Sequence, residues 1–213
     1  MNRRNFLKLM FASASLIALY RLSASIQLPS YNNQNPNANG LTPFASWYVV
    51  QIGKTPTLSL ENYVLTVDGD VENPLKLTYD QLVSMPSVTI KDTIQCVSDP
   101  DFLRANVEWT GVPLKYILNL AKPNQNAIKV LTFGAEGYTA DLPMWKAMED
   151  DTLVAYMVDG QPLPLVHGYP VRMVVPRWWG YTYTKWLVRI HVTSKNVLGY
   201  WESLGYPDVA RKD

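Results

Sequence analysis

The chain has one cysteine and two histidines in 213 residues. One cysteine excludes an intramolecular disulfide framework and a multi-cysteine zinc site. Charge is sparse, 17% of residues with a formal net of +1. That balance excludes the clustered basic surface a nucleic-acid-binding protein needs. There is no glycine-rich phosphate loop of the GxGxxG or GxxxxGK[ST] kind and no internal repeat. Strands and helices do not alternate in a sustained rhythm, so a doubly wound parallel sheet is not expected.

The N-terminus has its own character. "MNRRNFLKLMFASASLIALYRLSAS" sets a basic start before an apolar run, Leu9 to Tyr20, that ends in small residues. That is the layout of an export signal, and the run is short for a membrane span. Arg3-Arg4 followed by Asn5-Phe6-Leu7-Lys8 closely resembles a twin-arginine signal, the route that carries folded proteins. Residues 1–25 are thus expected to act as a leader or an anchor, giving a periplasmic or other extracytoplasmic protein. Without them the chain holds 15 basic against 18 acidic residues, a net of −3. Residues 26–45 are rich in Asn, Pro and Ser and read as an extended linker or wrapping arm. Residues 46–213 form the expected single domain.

Strand signals dominate that domain. "YVLTVDGDV" and "LVAYMVDGQPL" each run into an Asp-Gly turn. Thr78 is placed to cap a short helix through Met85, ahead of Pro86. "VTIKDTIQCV" alternates as a strand ending at Cys96. "WTGVPLKYILNLAK" reads as a turn and a helix, with Val112, Tyr116, Ile117 and Leu120 at helical spacing. "IKVLTFGAEGYTADL" reads as a hairpin around Ala135-Glu136-Gly137. In "KWLVRIHV", Trp186, Val188, Ile190 and Val192 alternate with Lys185, Arg189 and His191. The expected fold class is α+β, mainly β with short helices.

Two places could carry chemistry. Cys96 stands at a strand end before the turn Val97-Ser98-Asp99-Pro100, where a thiolate can act as nucleophile or metal ligand. A buried structural thiol fits the position equally well. As a nucleophile it would need His167 or His191 as base. The second place is "HGYPVRMVVPRWWGYTYTKW", His167 to Trp186. Pro170 and Pro176 restrict pairing on either side of "VRMVV". Arg172 lies inside that apolar run, where it must reach solvent or meet an anion. His167, Arg177 and Lys185 could converge with it on a phosphate, a carboxylate or a large polar cofactor.

This segment resembles the molybdopterin-binding signature of the sulfite oxidase family, roughly H-G-x-P-x-R-hhh-P-x-x-x-G-x-x-x-x-K-W. "LVAYMVDGQPLP", "TIQCVS", "WTGVPLKYIL" and "GYWESLGYPD" resemble further blocks of that family, in its order, from about Trp47 to Asp208. The resemblance implies a molybdenum-dependent oxidoreductase with molybdopterin as cofactor, the metal held by the cofactor's dithiolene and by Cys96. It implies that His167, Arg172 and Lys185 bind the pterin and its phosphate, aided by the backbone at Tyr183 and Thr184. Tyr156 falls on the family's active-site tyrosine, and Gly134 lies near a position that touches the cofactor. The small exported type is similar to the periplasmic methionine sulfoxide reductase catalytic subunit, which takes electrons from a membrane haem partner. A small-molecule substrate and a monomer are expected, because the family's dimerisation domain is not in this sequence.

The pattern also departs from the family. Val50, Gln51 and Ile52 stand where sulfite oxidases carry Arg, Asn and His; Gln51 can still bond the cofactor, but Val50 cannot hold sulfite. Asp101 replaces another cation of the family's pattern. Arg104 or Arg177 could supply charge from elsewhere. Trp178 and Trp179 are expected at the cofactor or a substrate funnel. Oxygen-atom transfer with an unassigned substrate is the expected activity. The alternatives are a dedicated sulfite dehydrogenase or sulfoxide reductase, a non-catalytic binding module on the same fold, and a cysteine hydrolase.

Overall fold

The computed structural model describes residues 25–27 and 40–212. Nearly all of the expected leader and much of the expected linker lie outside the described residues. The chain begins with a ribbon in which β1 (Ser25–Gln27) runs antiparallel to β2 (Val49–Gln51). The end of the linker segment is already docked on the domain: the Thr42 amide donates to the Asn106 carbonyl at 2.8 Å, and its hydroxyl accepts from the Asn106 amide at 2.9 Å.

β3 (Val64–Gly69) and β4 (Leu75–Thr78) form an antiparallel pair. Gly69 takes φ +94°, and a Cβ there would sit 2.0 Å from the Val192 carbonyl, so only glycine fits. α1 (Tyr79–Val83) starts with a reciprocal capping box between Thr78 and Gln81 and stops two residues short of the expected Met85. β5 (Val88–Gln95) leads directly to Cys96 and pairs with β6 (Arg104–Pro113).

α2 (Leu114–Ala121) follows β6 without the expected turn, because Trp109–Pro113 is still strand. Val112 is therefore a strand residue. The helix starts after Pro113, and its buried face is Leu114, Ile117, Leu118 and Ala121. Tyr116 and Leu120 point outward. The expected face was phased from a residue outside the helix, which rotated it away from the core.

β7 (Lys129–Gly134) and β8 (Thr139–Pro143) form the expected hairpin, with α3 (Met144–Ala147) after it. β9 (Leu153–Val158) turns through Asp159 and Gly160, both at positive φ, into β10 (Gln161–Pro162). β11 (Arg172–Val174) lies between Pro170 and Pro176, which bracket it as the sequence suggested. β12 (Leu187–Thr193) closes the list of strands.

Two five-stranded sheets result. One has the order β10-β9-β6-β5, with β11 sharing an edge of β9. The other has the order β4-β3-β12-β7-β8, all antiparallel except β12 with β3. Their inner faces share one core: Val107, Trp109 and Val158 from the first sheet, Leu65, Val130 and Ile190 from the second. A bulge between Leu187 and Arg189 breaks the expected alternation of β12. Trp186 is fully buried but precedes the strand at φ +48°, and Leu187 rather than Val188 turns inward. The fold is mixed and mostly β, with few short helices. Among the described residues no helix is long and apolar enough to cross a membrane.

Candidate cofactor and active site

Five separate parts of the described chain meet at one cavity of about 270 Å³, the β7–β8 hairpin contributing Glu136 and Tyr138. Cys96, at the end of β5, contributes its thiol, with Val97 and Ser98 beside it. β2 supplies Val49, Val50 and Gln51. His167, Arg172, Tyr183 and Lys185 come from the proline-bracketed segment, and Trp201 and Tyr206 from the C-terminal stretch.

The cationic group is built on backbone. Arg172 is 2% exposed and forms no salt bridge among the described residues. Its guanidinium donates instead to the carbonyls of His167 at 2.8 Å, Tyr183 at 3.2 Å and Met173 at 3.4 Å. It also lies over the Trp109 and Trp47 rings, 4.9 and 5.9 Å from their centroids. Carbonyl dipoles and ring faces hold the charge without cancelling it, so the field remains available to an anion in the cavity.

His167 stacks flat on Trp47, centroids 3.7 Å apart. Burial, then the charges of Arg172 and Lys185, push its pKa down to about 3. It is a neutral hydrogen-bonding ring at physiological pH. Lys185 donates to the Val166 carbonyl at 2.9 Å, and burial, then Arg172, bring its pKa down to about 7. Among the described residues Glu136 is the one carboxylic acid in the cavity wall, and its Oε2 is buried with no hydrogen-bond partner among them. Burial lifts its pKa to about 7.

The sequence-derived residues divide into two groups. Cys96, Gln51, His167, Arg172, Tyr183 and Lys185 all line the cavity. Gln51 bonds the Thr55 hydroxyl at 3.1 Å, and Tyr183 donates to Asp92 at 2.6 Å. Gly134, Tyr156 and Thr184 stand outside the lining. A Cβ on Gly134 would lie 2.3 Å from Glu136 Oε2, so Gly134 makes room for a cavity residue from behind. Thr184 is fully buried, with its hydroxyl 2.6 Å from that of Thr132. Tyr156 is 8% exposed and lies near Tyr79, whose pKa is raised by burial, then by Tyr169 and Tyr156.

Other expectations are corrected. Arg177 does not converge with Arg172; it pairs with Glu149 and Asp151 on the surface. Trp178 packs edge-on against Trp145, away from the cavity, and Trp179 is not in its wall. The tryptophans at the site are Trp47 and Trp201. His191 bonds Asp68 at 2.7 Å on the other sheet, so it cannot serve Cys96 as a base. Glu136, Trp47 and Ser98 were missed. Glu136 lies at a hairpin tip read as a turn, and Trp47 lies in no recognised motif.

The donor set suits an anionic, sulfur-bearing cofactor. Among the described residues three basic side chains, His167, Arg172 and Lys185, face the cavity, together with one thiol. Among the described residues no cluster of three His, Cys, Asp or Glu could hold a metal. A metal bound through Cys96 would therefore take most of its donors from a cofactor, as a dithiolene provides.

The family description "oxidoreductase molybdopterin binding domain" matches residues 52–201. The chain belongs to this family. It is 32% identical over 172 residues to the uncharacterized oxidoreductase YuiH of Bacillus subtilis (strain 168), covering 80% of this chain and 84% of that protein. It is 29% identical over 202 residues to the NADH nitrate reductase of Ulva prolifera, covering 78% of this chain but 23% of that protein. Among solved structures, the sulfane dehydrogenase SoxCD of Paracoccus pantotrophus matches with TM-score 0.73 and 25% identity, over 87% of this chain and 52% of that one. The chain thus spans about a quarter of the nitrate reductase and half of the SoxCD chain. This family member is an oxidoreductase that binds molybdopterin.

Proposed function

We propose that the enzyme transfers an oxygen atom to or from a small, uncharged substrate, outside the cytoplasm. The observation that carries this reading is the meeting of Cys96 with His167, Arg172 and Lys185 on one cavity. When bound, the molybdenum cofactor supplies two-electron oxygen-atom chemistry. Cys96 would give the metal the protein's one thiolate. Arg172 and Lys185 would hold the cofactor phosphate, Arg172 as a fixed charge and Lys185 as an adjustable one. His167 would orient the pterin as a neutral hydrogen-bond partner, and the Tyr183-Thr184 backbone would help hold the phosphate. Gln51 would bond the cofactor from β2. Gly134 would act through the space it leaves for Glu136. Tyr156 is proposed as a substrate-side residue from the family pattern alone.

The preference for an uncharged substrate rests on the part of the wall around β2. Val50, Gln51 and Ile52, none of them charged, line it at the positions where sulfite oxidases carry Arg, Asn and His. Arg104 is exposed outside the wall and Arg177 is held by two acids, so neither replaces the missing cations. The SoxCD neighbour is named a sulfane dehydrogenase, and sulfur compounds of low charge, including sulfoxides, fit the same wall. An electron-transfer partner, haem-bearing or membrane-bound, completes the cycle. Export rests on Arg3-Arg4 with Asn5-Phe6-Leu7-Lys8, since the twin-arginine route carries folded, cofactor-loaded proteins.

Metal and pterin analysis of protein matured in a molybdopterin-competent host tests the core of this reading. Molybdenum should be present, and Cys96→Ser should lose most of it. Wild-type protein without molybdenum, or Cys96→Ser with full metal and unchanged turnover, overturns the reading. Parallel assays of sulfoxide reduction and sulfite oxidation fix the substrate class. Fractionation of Arg3→Lys/Arg4→Lys cells tests export.

A further inference from the structure

Cys96 Sγ and Ser98 Oγ lie 2.9 Å apart, and both line the cavity. Only Val97 separates them in sequence, and the backbone of the loop holds them together. The Cys96 amide donates to the Leu103 carbonyl, and the Leu103 amide to the Asp99 carbonyl, each at 2.8 Å. Gln95 adds a bond from its side chain to the Pro100 carbonyl at 3.2 Å. These bonds close the loop from residue 96 to residue 103, with Ser98 on its cavity side. In the free thiol either atom could donate. A thiolate that holds a metal has no proton, so the hydroxyl must then be the donor.

We infer that Ser98 is a positioning residue for the metal: its hydroxyl donates to the Cys96 thiolate and sets how strongly that sulfur donates to molybdenum. This rests on the assignment of Cys96 as the metal's ligand. An O–H···S bond withdraws electron density from the sulfur. A weaker sulfur donor stabilises the oxidised metal less, so the bond favours the reduced state. Outer contacts to a ligand are a general means of tuning a metal site. The same bond fixes the rotamer of the Cys96 side chain, so the sulfur faces the cavity before the cofactor arrives.

The test uses the loaded enzyme and two variants, Ser98→Ala and Ser98→Thr. Each is matched to wild type by molybdenum and pterin content. The readouts are the sulfur-to-molybdenum charge-transfer band and the midpoint potential of the metal. Loss of the bond in Ser98→Ala should move the band to longer wavelength and the potential to a more negative value. Ser98→Thr keeps the hydroxyl and should restore both toward wild type. A merely structural serine would leave band and potential in place. Ser98→Ala with full metal content and an unchanged band and potential overturns the inference while leaving the cofactor assignment intact. Ser98→Ala that folds but takes up no metal also overturns it, because the residue would then serve assembly. Wild-type protein without molybdenum overturns the inference together with the assignment.

Discussion

The Trp47 indole lies on the His167 imidazole with 8° between the planes and 3.7 Å between centroids. Trp47 also meets Trp109 edge-on at 5.4 Å and carries the Arg172 guanidinium over its face. One side chain thus orients the neutral ring and helps hold the buried cation. Trp47→Ala should cost about 3–5 kcal/mol of stability, the usual range for deleting a buried large aromatic ring. Denaturant unfolding of metal-free protein measures it. Pterin content should fall in the same variant, because His167 loses its orientation.

Arg172→Lys keeps the charge but cannot donate to three carbonyls in the same planar geometry. Hydrogen bonds from a charged group contribute about 1.5–3 kcal/mol each. Losing even one should weaken cofactor retention roughly tenfold or more, at about 1.4 kcal/mol per decade. Dialysis followed by pterin fluorescence reads the loss directly.

Anion binding in the cavity should be proton-linked. Lys185 has its pKa lowered to about 7 in the free protein, by burial and then by Arg172. An anion binds the charged form better, so affinity is greatest below pH 7. It declines above that value by up to about tenfold per pH unit for one linked proton. Glu136, raised to about 7, becomes negative over the same range and adds repulsion in the same direction. Sulfate does not titrate here, so calorimetry of sulfate on metal-free protein from pH 6 to 8.5 is a clean readout. Lys185→Met and Glu136→Gln should each reduce the slope.

Stability should fall as the pH rises from about 4.5 to about 8. Glu202 is 4% exposed, no side chain among the described residues pairs with its carboxyl oxygens, and burial raises its pKa to about 8 from an ordinary 4.5. The folded state therefore keeps a proton that the unfolded state has released between pH 4.5 and 8. Stability declines with rising pH across that window, with a limiting slope of about 1.4 kcal/mol per unit. Urea unfolding at pH 5, 6.5 and 8 should show the decline, and Glu202→Gln should flatten it.

Local signals carried much of the fold. The Thr78–Gln81 capping box, the Asp159-Gly160 turn and the strand leading to Cys96 each depend on a few adjacent residues, whereas Asp68-Gly69, expected as a turn, is still strand and pairs with β12. The α2 face was misphased because Pro113 starts the helix later than the apolar spacing suggested. The β12 alternation failed at a bulge, which depends on the pairing with β7. At the site, the proline-bracketed cations were legible because they share one segment. Trp47 was not, since its partner His167 is far along the chain. Glu202 was hidden for a similar reason. Its burial follows from how the C-terminal stretch folds back, with Tyr200 bonded to Thr139 and Gly199 to Asp141.

That folding back orders events in time. The cavity wall takes Trp47 and Val50 from one stretch and Trp201 and Tyr206 from another, so parts of it are made about 150 residues apart in translation. A nascent chain emerges N-terminal part first, and β2 must wait for residues some 150 positions later. No partial product encloses the space, however stable its strands. The complete wall of this cavity thus exists only once residues as far as Tyr206 have been made.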